Sequence, residues 1–149
     1  RSLYTFWKRT APAPSMTTFD APSRETFCTG RGRSNTPLQA LALMNDVQHF
    51  EAARAFAEHL LAEPSTEARR LDLAFRKVTA RAPTPDEHAL LAETLATHRT
   101  HFTRDTAAAE KILTNGESKP TSLAPAPEIA AWTMLANLLF NLDEVVTRN

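Results

Sequence analysis

The chain has 149 residues, 42% hydrophobic and 23% charged, which is the profile of a globular chain with a real core rather than a disordered one. Seventeen Lys and Arg balance seventeen Asp and Glu, so no global field draws in nucleic acid or an anionic membrane. A single cysteine excludes an internal disulfide framework, and no CxxCH is present for covalent haem attachment.

Residues 2–8, SLYTFWK, are rich in aromatic and strand-favouring types and predict a short strand. No second strand pattern follows, so its expected partner lies in chain outside this sequence. APAPS at 11–15 stiffens the backbone toward polyproline geometry and predicts the end of any regular element. Residues 16–35 read as a loop held by side chains. This stretch gathers Asp20, Arg24, Glu25, Cys28, Arg31 and Arg33 with too few apolar residues to form a core. Residues 1–36 carry six basic side chains against Asp20 and Glu25 alone, so any anion-binding role belongs to this quarter.

From Thr36 the pattern turns helical. Thr36-Pro37-Leu38-Gln39 is a capping box with proline at the first helical position, and Leu38 and Leu41, with Met44 or Ala42, are the expected inward face. Asn45-Asp46 predicts a break, with Asp46 capping a second helix to about Ala62. Its inward face reads as Val47, Phe50, Ala53 or Arg54, Ala57 and Leu60-Leu61.

A third helix is expected at 66–79, with Leu71, Phe75 and Val78 inward. Thr84-Pro85-Asp86-Glu87 is a second capping box, opening a helix that carries Leu90, Leu91, Leu95, His98 and Phe102. A short helix at 106–114 ends at Asn115-Gly116, a left-handed cap, and 118–127 is a proline-rich loop. The last predicted helix, 127–147, is the most apolar. Its polar stripe of Thr133, Asn137, Asn141, Glu144 and Arg148 leaves the other sides to be covered, which suits the centre of a bundle.

The fold class is therefore all-α: a bundle of five or six helices at 37–149, preceded by an extended, strand-containing arm and basic loop at 1–36. The apolar run around Trp132 is interrupted by Asn137, Asn141, Asp143 and Glu144, so no membrane span is expected.

FDAPSRE, a nearby cysteine, NTPLQALALMND and the terminal LFNLDEVVTRN together resemble a bacterial family. It is the C-terminal domain of unknown function found in exported planctomycete proteins, often beside planctomycete cytochrome-c-like modules. The resemblance spans nearly the whole chain, with NTPLQAL…LMND its most specific part. It implies a large, exported, multidomain parent protein, at the periplasm or cell surface, of which this chain is the C-terminal piece. Haem c would then belong to an upstream domain, with no cofactor in this chain. The family supplies no catalytic residues to carry over. Its pattern has proline after the Asn-Asp pair, where this chain has Val47.

Several groups have the chemistry for a site. Arg24, Arg31 and Arg33, with Glu25 beside them and Gly30 and Gly32 allowing close approach, suit an oxyanion such as sulfate, carboxylate or phosphate. The alternative is that Asp20 and Glu25 pair with these arginines and pin the loop. Cys28 among arginines favours a thiolate, but no histidine lies near it in sequence to serve as a base. His98 and His101 share a helical face, but the only local carboxylate to complete a metal site is Asp105, just past the predicted helix. Tyr4, Phe6 and Trp7 suit either sugar stacking or an interdomain contact.

No catalytic constellation emerges. The expected role is an accessory domain that docks on upstream domains of the same polypeptide through its arm. The competing expectation is part of a carbohydrate-processing or redox site, in which Arg24, Glu25, Arg31 and Arg33 bind an acidic or sulfated polysaccharide. Nucleic acid is not an expected partner.

Overall fold

The computed structural model describes residues 5–8, 11–30, 32, 34–121 and 124–147. Among them are eight helices and no strand. They are α1 (Pro14–Thr18), α2 (Pro37–Asn45), α3 (Val47–Ala62), α4 (Glu67–Thr79), α5 (Pro85–Arg104), α6 (Thr106–Leu113), α7 (Ala126–Phe140) and α8 (Asp143–Val146). The all-α expectation holds. The expected strand does not appear in its described part: Lys8 forms only an isolated bridge to Ala11, and residues 2–4 lie outside the described residues.

The chain divides into two compact units, Arg1–Ala42 and Leu43–Asn149. In the first, APAPS does not end regular structure. Pro14 instead takes the first position of α1, where its missing N–H costs nothing, and the Thr17 and Thr18 hydroxyls donate back to its carbonyl.

In the second unit α3, α5 and α6 pack around α7. Trp132, Leu135 and Leu139 of α7 are fully buried in one cluster with Leu60, Leu71, Phe75, Leu95 and Phe102, and Ile129 is buried as well. The local signals that set these helices are visible one by one. Asp46, Thr66, Thr84 and Asp105 each cap a helix by accepting a backbone N–H, and Thr84 with Glu87 completes the expected capping box. Ala80 closes α4 in the left-handed conformation.

Three expectations need correction. Leu38, Leu41 and Met44 are exposed rather than inward, because the face of α2 that turns in is the one carrying Gln39; Val47, the first residue of α3, is exposed too. Leu90 is likewise exposed, while its neighbour Leu91 is buried. The last helix is also shorter than predicted. It stops at Phe140, where Asn141 turns its side-chain amide onto the Asn137 carbonyl and Leu142 goes extended before α8. Within α7, Thr133 and Asn137 are buried, so the polar stripe faces protein there: Thr133 bonds back to Ile129 O, and Asn137 reaches Met44 O.

Candidate functional site

The first unit is organised by a glutamine. Gln39 is the third residue of α2 and is 1% exposed. Its Oε1 accepts from Thr36 N at 2.9 Å and its N–H donates to Thr36 Oγ1, which forms the capping box read from the sequence. Its Nε2 then does something no capping rule requires. It donates to Thr18 O at 2.8 Å, to Ser34 Oγ at 2.9 Å and to Asp20 Oδ2 at 3.3 Å.

Asp20 sits at positive φ (56°), which aspartate tolerates better than most residues, and its Oδ2 accepts from both Ser34 N (2.9 Å) and Ser34 Oγ (2.7 Å). The end of α1, both ends of the basic loop and the start of α2 therefore meet at one buried amide.

Within the loop, Arg24 also takes positive φ (64°), and its guanidinium stacks over the Trp7 ring, 4.7 Å from the centroid. No hydrogen bond or ion pair joins Arg24 to Glu25 among the described residues; Glu25 N donates to Ser23 Oγ at 3.4 Å. Arg31 and Arg33 lie outside the described residues. Cys28 is exposed, with its thiol donating to Gly30 O. Phe6 and Phe27 stand out in solvent at 83% and 91% exposure.

In the second unit several charged side chains pair with each other. Arg54 on α3 is 1% exposed; it donates to Glu58 Oε1 at 3.2 Å and to Ser118 O and Oγ at 2.8 and 2.7 Å. Beside it, Glu51 accepts Ser118 N at 2.7 Å and Glu117 N at 3.1 Å. The Ser118 side chain and then these two N–H groups hold the Glu51 carboxyl down at about 2. Gly116, at φ +101°, is what allows the loop to lie this close, since a Cβ there would come within 2.5 Å of Glu51 Oε2.

Arg99 on α5 grips Glu128 through Nε (2.7 Å) and Nη2 (2.8 Å) and also meets Glu67 at 2.8 Å. Glu128 accepts the Trp132 indole N–H at 2.9 Å. Arg99, and then Trp132, hold its carboxyl below the usual range against the opposing effect of burial. Arg81 joins Glu87 and Glu144 while stacking over Phe75.

His98 and His101 flank Phe102 by ring contacts, and among the described residues no group of three potential metal ligands exists. Burial, and then the neighbouring His101, pushes the His98 imidazole below its ordinary value. Gln39 and Arg54 are the residues that sequence reasoning missed as organisers: the first was read as a cap alone, the second as one of two options for a helix face.

The chain matches the family described as PSD1: protein of unknown function (DUF1553) over residues 1–95, which is more than half its length. It belongs to that family. The matched part contains FDAPSRE and NTPLQALALMND and ends within α5, before NLDEVVTRN. Neither the curated proteins nor the solved structures gave a match. No helix among the described residues is long and apolar enough to cross a membrane.

Proposed function

We propose that the chain is an interaction module, docking through its N-terminal unit onto upstream domains of the same polypeptide. The observation that carries this reading is the set of large apolar side chains that the first unit presents to solvent. Phe6 and Phe27 are almost fully exposed, and Leu38 and Leu41 are 62% and 57% exposed, although Gln39 between them is buried. Apolar groups left outside while a polar one is drawn in are the pattern of a surface awaiting a partner. Arg24, Glu25, Arg31 and Arg33 would form the polar rim of that interface.

On this reading the module is the C-terminal piece of an exported planctomycete protein, acting at the periplasm or cell surface. Any haem c would be held by an upstream, cytochrome-like domain. The second unit is held by hydrophobic packing with the buried Arg54–Glu58 pair.

The test is binding of the full chain to the separately produced upstream region, by surface plasmon resonance. Phe6→Ser/Phe27→Ser and Leu38→Ser/Leu41→Ser variants should each weaken binding tenfold or more. Unchanged affinity in both would sink the proposal. Binding of a sulfated saccharide that is lost in Arg31→Ala/Arg33→Ala would instead make the loop a ligand site.

A further inference from the structure

The turn between α3 and α4 and the outer face of α4 enclose an open trough of about 1200 Å³. Leu61, Pro64 and Leu73 give it an apolar floor, and its walls carry Arg69, Arg70, Arg76 and Lys77 against only Glu63 and Asp72. Spacings of one, three, three and one along 69, 70, 73, 76 and 77 put these side chains on one helical face by periodicity, so the concentration of cations is built into the sequence register.

The neighbouring acids cancel only part of this charge. Glu67, in the first turn of α4, is drawn away to Arg99 at 2.8 Å. Asp72 is taken by Arg76 Nε at 2.8 Å. Arg69 and Lys77 are left with no acidic partner among the described residues, eight positions apart and so about 12 Å along the helix axis. Between them Arg70 is held in place, its Nη2 donating to Glu63 O and Ser65 O at 3.1 Å each. Two more polar atoms of lining residues, Ser65 Oγ and Arg70 Nε, have no hydrogen-bond partner.

We propose that this trough binds a short oligoanion carrying sulfate or phosphate groups about 12 Å apart, one group at Arg69 and one at Lys77. A pair of unpaired cations on one helical face, separated by apolar side chains, favours two anionic groups on one ligand, because holding the first makes the second contact intramolecular. The volume exceeds that of a site for one small ion and matches an open groove along which a chain can lie. No aromatic side chain lines it, so it lacks the stacking platforms by which single-stranded nucleic acid is held. This site is separate from the N-terminal docking surface, and neither proposal depends on the other.

Isothermal titration of the full chain at low salt tests it with four probes: a heparin-derived tetrasaccharide, a linear inorganic polyphosphate long enough to span about 12 Å, inorganic sulfate and an oligo-dT. The first two distinguish a sulfated saccharide from a phosphate chain. At least one of them should bind at one-to-one stoichiometry and tenfold or more tighter than sulfate. Arg69→Ala/Lys77→Ala should reduce that affinity at least tenfold, whereas Arg104→Ala/Lys111→Ala, which removes the same charge elsewhere, should change it less than twofold. Asp72→Asn, which takes an acid out of the trough, should tighten binding. Thermal melts confirm that each variant is folded. The inference is overturned if neither oligoanion binds, if both double variants lose affinity equally, or if oligo-dT binds as tightly.

Discussion

Arg54 and Glu58 stand one turn apart on α3 with Nη1 3.2 Å from Oε1, and the arginine side chain is 1% exposed. A charge so far from water is tolerated because Glu58 and Ser118 engage both terminal nitrogens, although Nε has no partner among the described residues. Removing one member leaves the other without its counter-charge. Arg54→Met should therefore cost about 3 kcal/mol of unfolding free energy. Arg54→Met/Glu58→Met should recover most of that loss, since exchanging a whole buried pair for apolar groups is close to neutral. Urea denaturation of the two variants checks both claims. Equal destabilisation in the two would show that the pair is not what matters.

Acid should expose the carboxylates that close the loops of the bundle. Glu51 and Glu87 both lie at about 2 in the folded protein, below an ordinary value of 4.5. Their folded values are depressed, so their stabilising contribution is complete above pH 4.5 and is lost as the pH falls toward 2. The melting temperature should drop across that window, and Glu51→Gln/Glu87→Gln should be less stable at neutral pH with a flatter acid limb. A wild-type profile that is level from pH 4.5 to 2 would contradict this.

Gly116→Ala should lower the stability of the second unit by at least about 1 kcal/mol, because the backbone there is left-handed and the new methyl group meets Glu51. Amide exchange should locate the damage at Glu117 and Ser118, whose N–H groups are bonded to that carboxylate. Gly30 and Gly32 have open space around the site of a Cβ, so alanine at either should leave stability unchanged.

Gln39→Ala removes the amide shared by Thr18, Asp20 and Ser34. The first unit should loosen while α3–α7 stay intact. Limited trypsinolysis should then cut at Arg24 several times faster than in the wild type, with the melting of the bundle displaced little. Protection of Arg24 equal to the wild type would show that other contacts hold the loop.

The capping boxes at Thr36 and Thr84, the cap at Asp46, and the central place of the Trp132 helix were legible in the sequence because each rests on nearby residues. What periodicity could not decide was which face of a short helix turns inward. In α2 the leucines lost to Gln39, whose partners lie five, nineteen and twenty-one residues away, beyond any helical window. Arg54 was equally hidden, since Ser118 is sixty-four residues distant. The break at Asn141 depends on a side chain competing for a carbonyl of its own helix, and in a pattern count it passes for one more polar stripe residue. The trough along α4 is hidden because 69–77 reads as an ordinary solvated charge run until Glu67 is seen to pair with Arg99 and Asp72 with Arg76, which leaves Arg69 and Lys77 without an acid among the described residues.

The bonds from Asp20 to Ser34 also set where this chain can change length. They fasten both ends of the intervening segment, so extra residues near Thr26–Thr29 would lengthen a tethered loop at a cost that grows only logarithmically, about 0.6 kcal/mol per doubling. Between Ser34 and Gln39 the tolerance disappears. One residue more or fewer within the first turn of α2 swings the amide by about 100° around the helix and away from Thr18. Relatives should accordingly vary in length between the aspartate and the serine, and keep an invariant count from the serine to the glutamine.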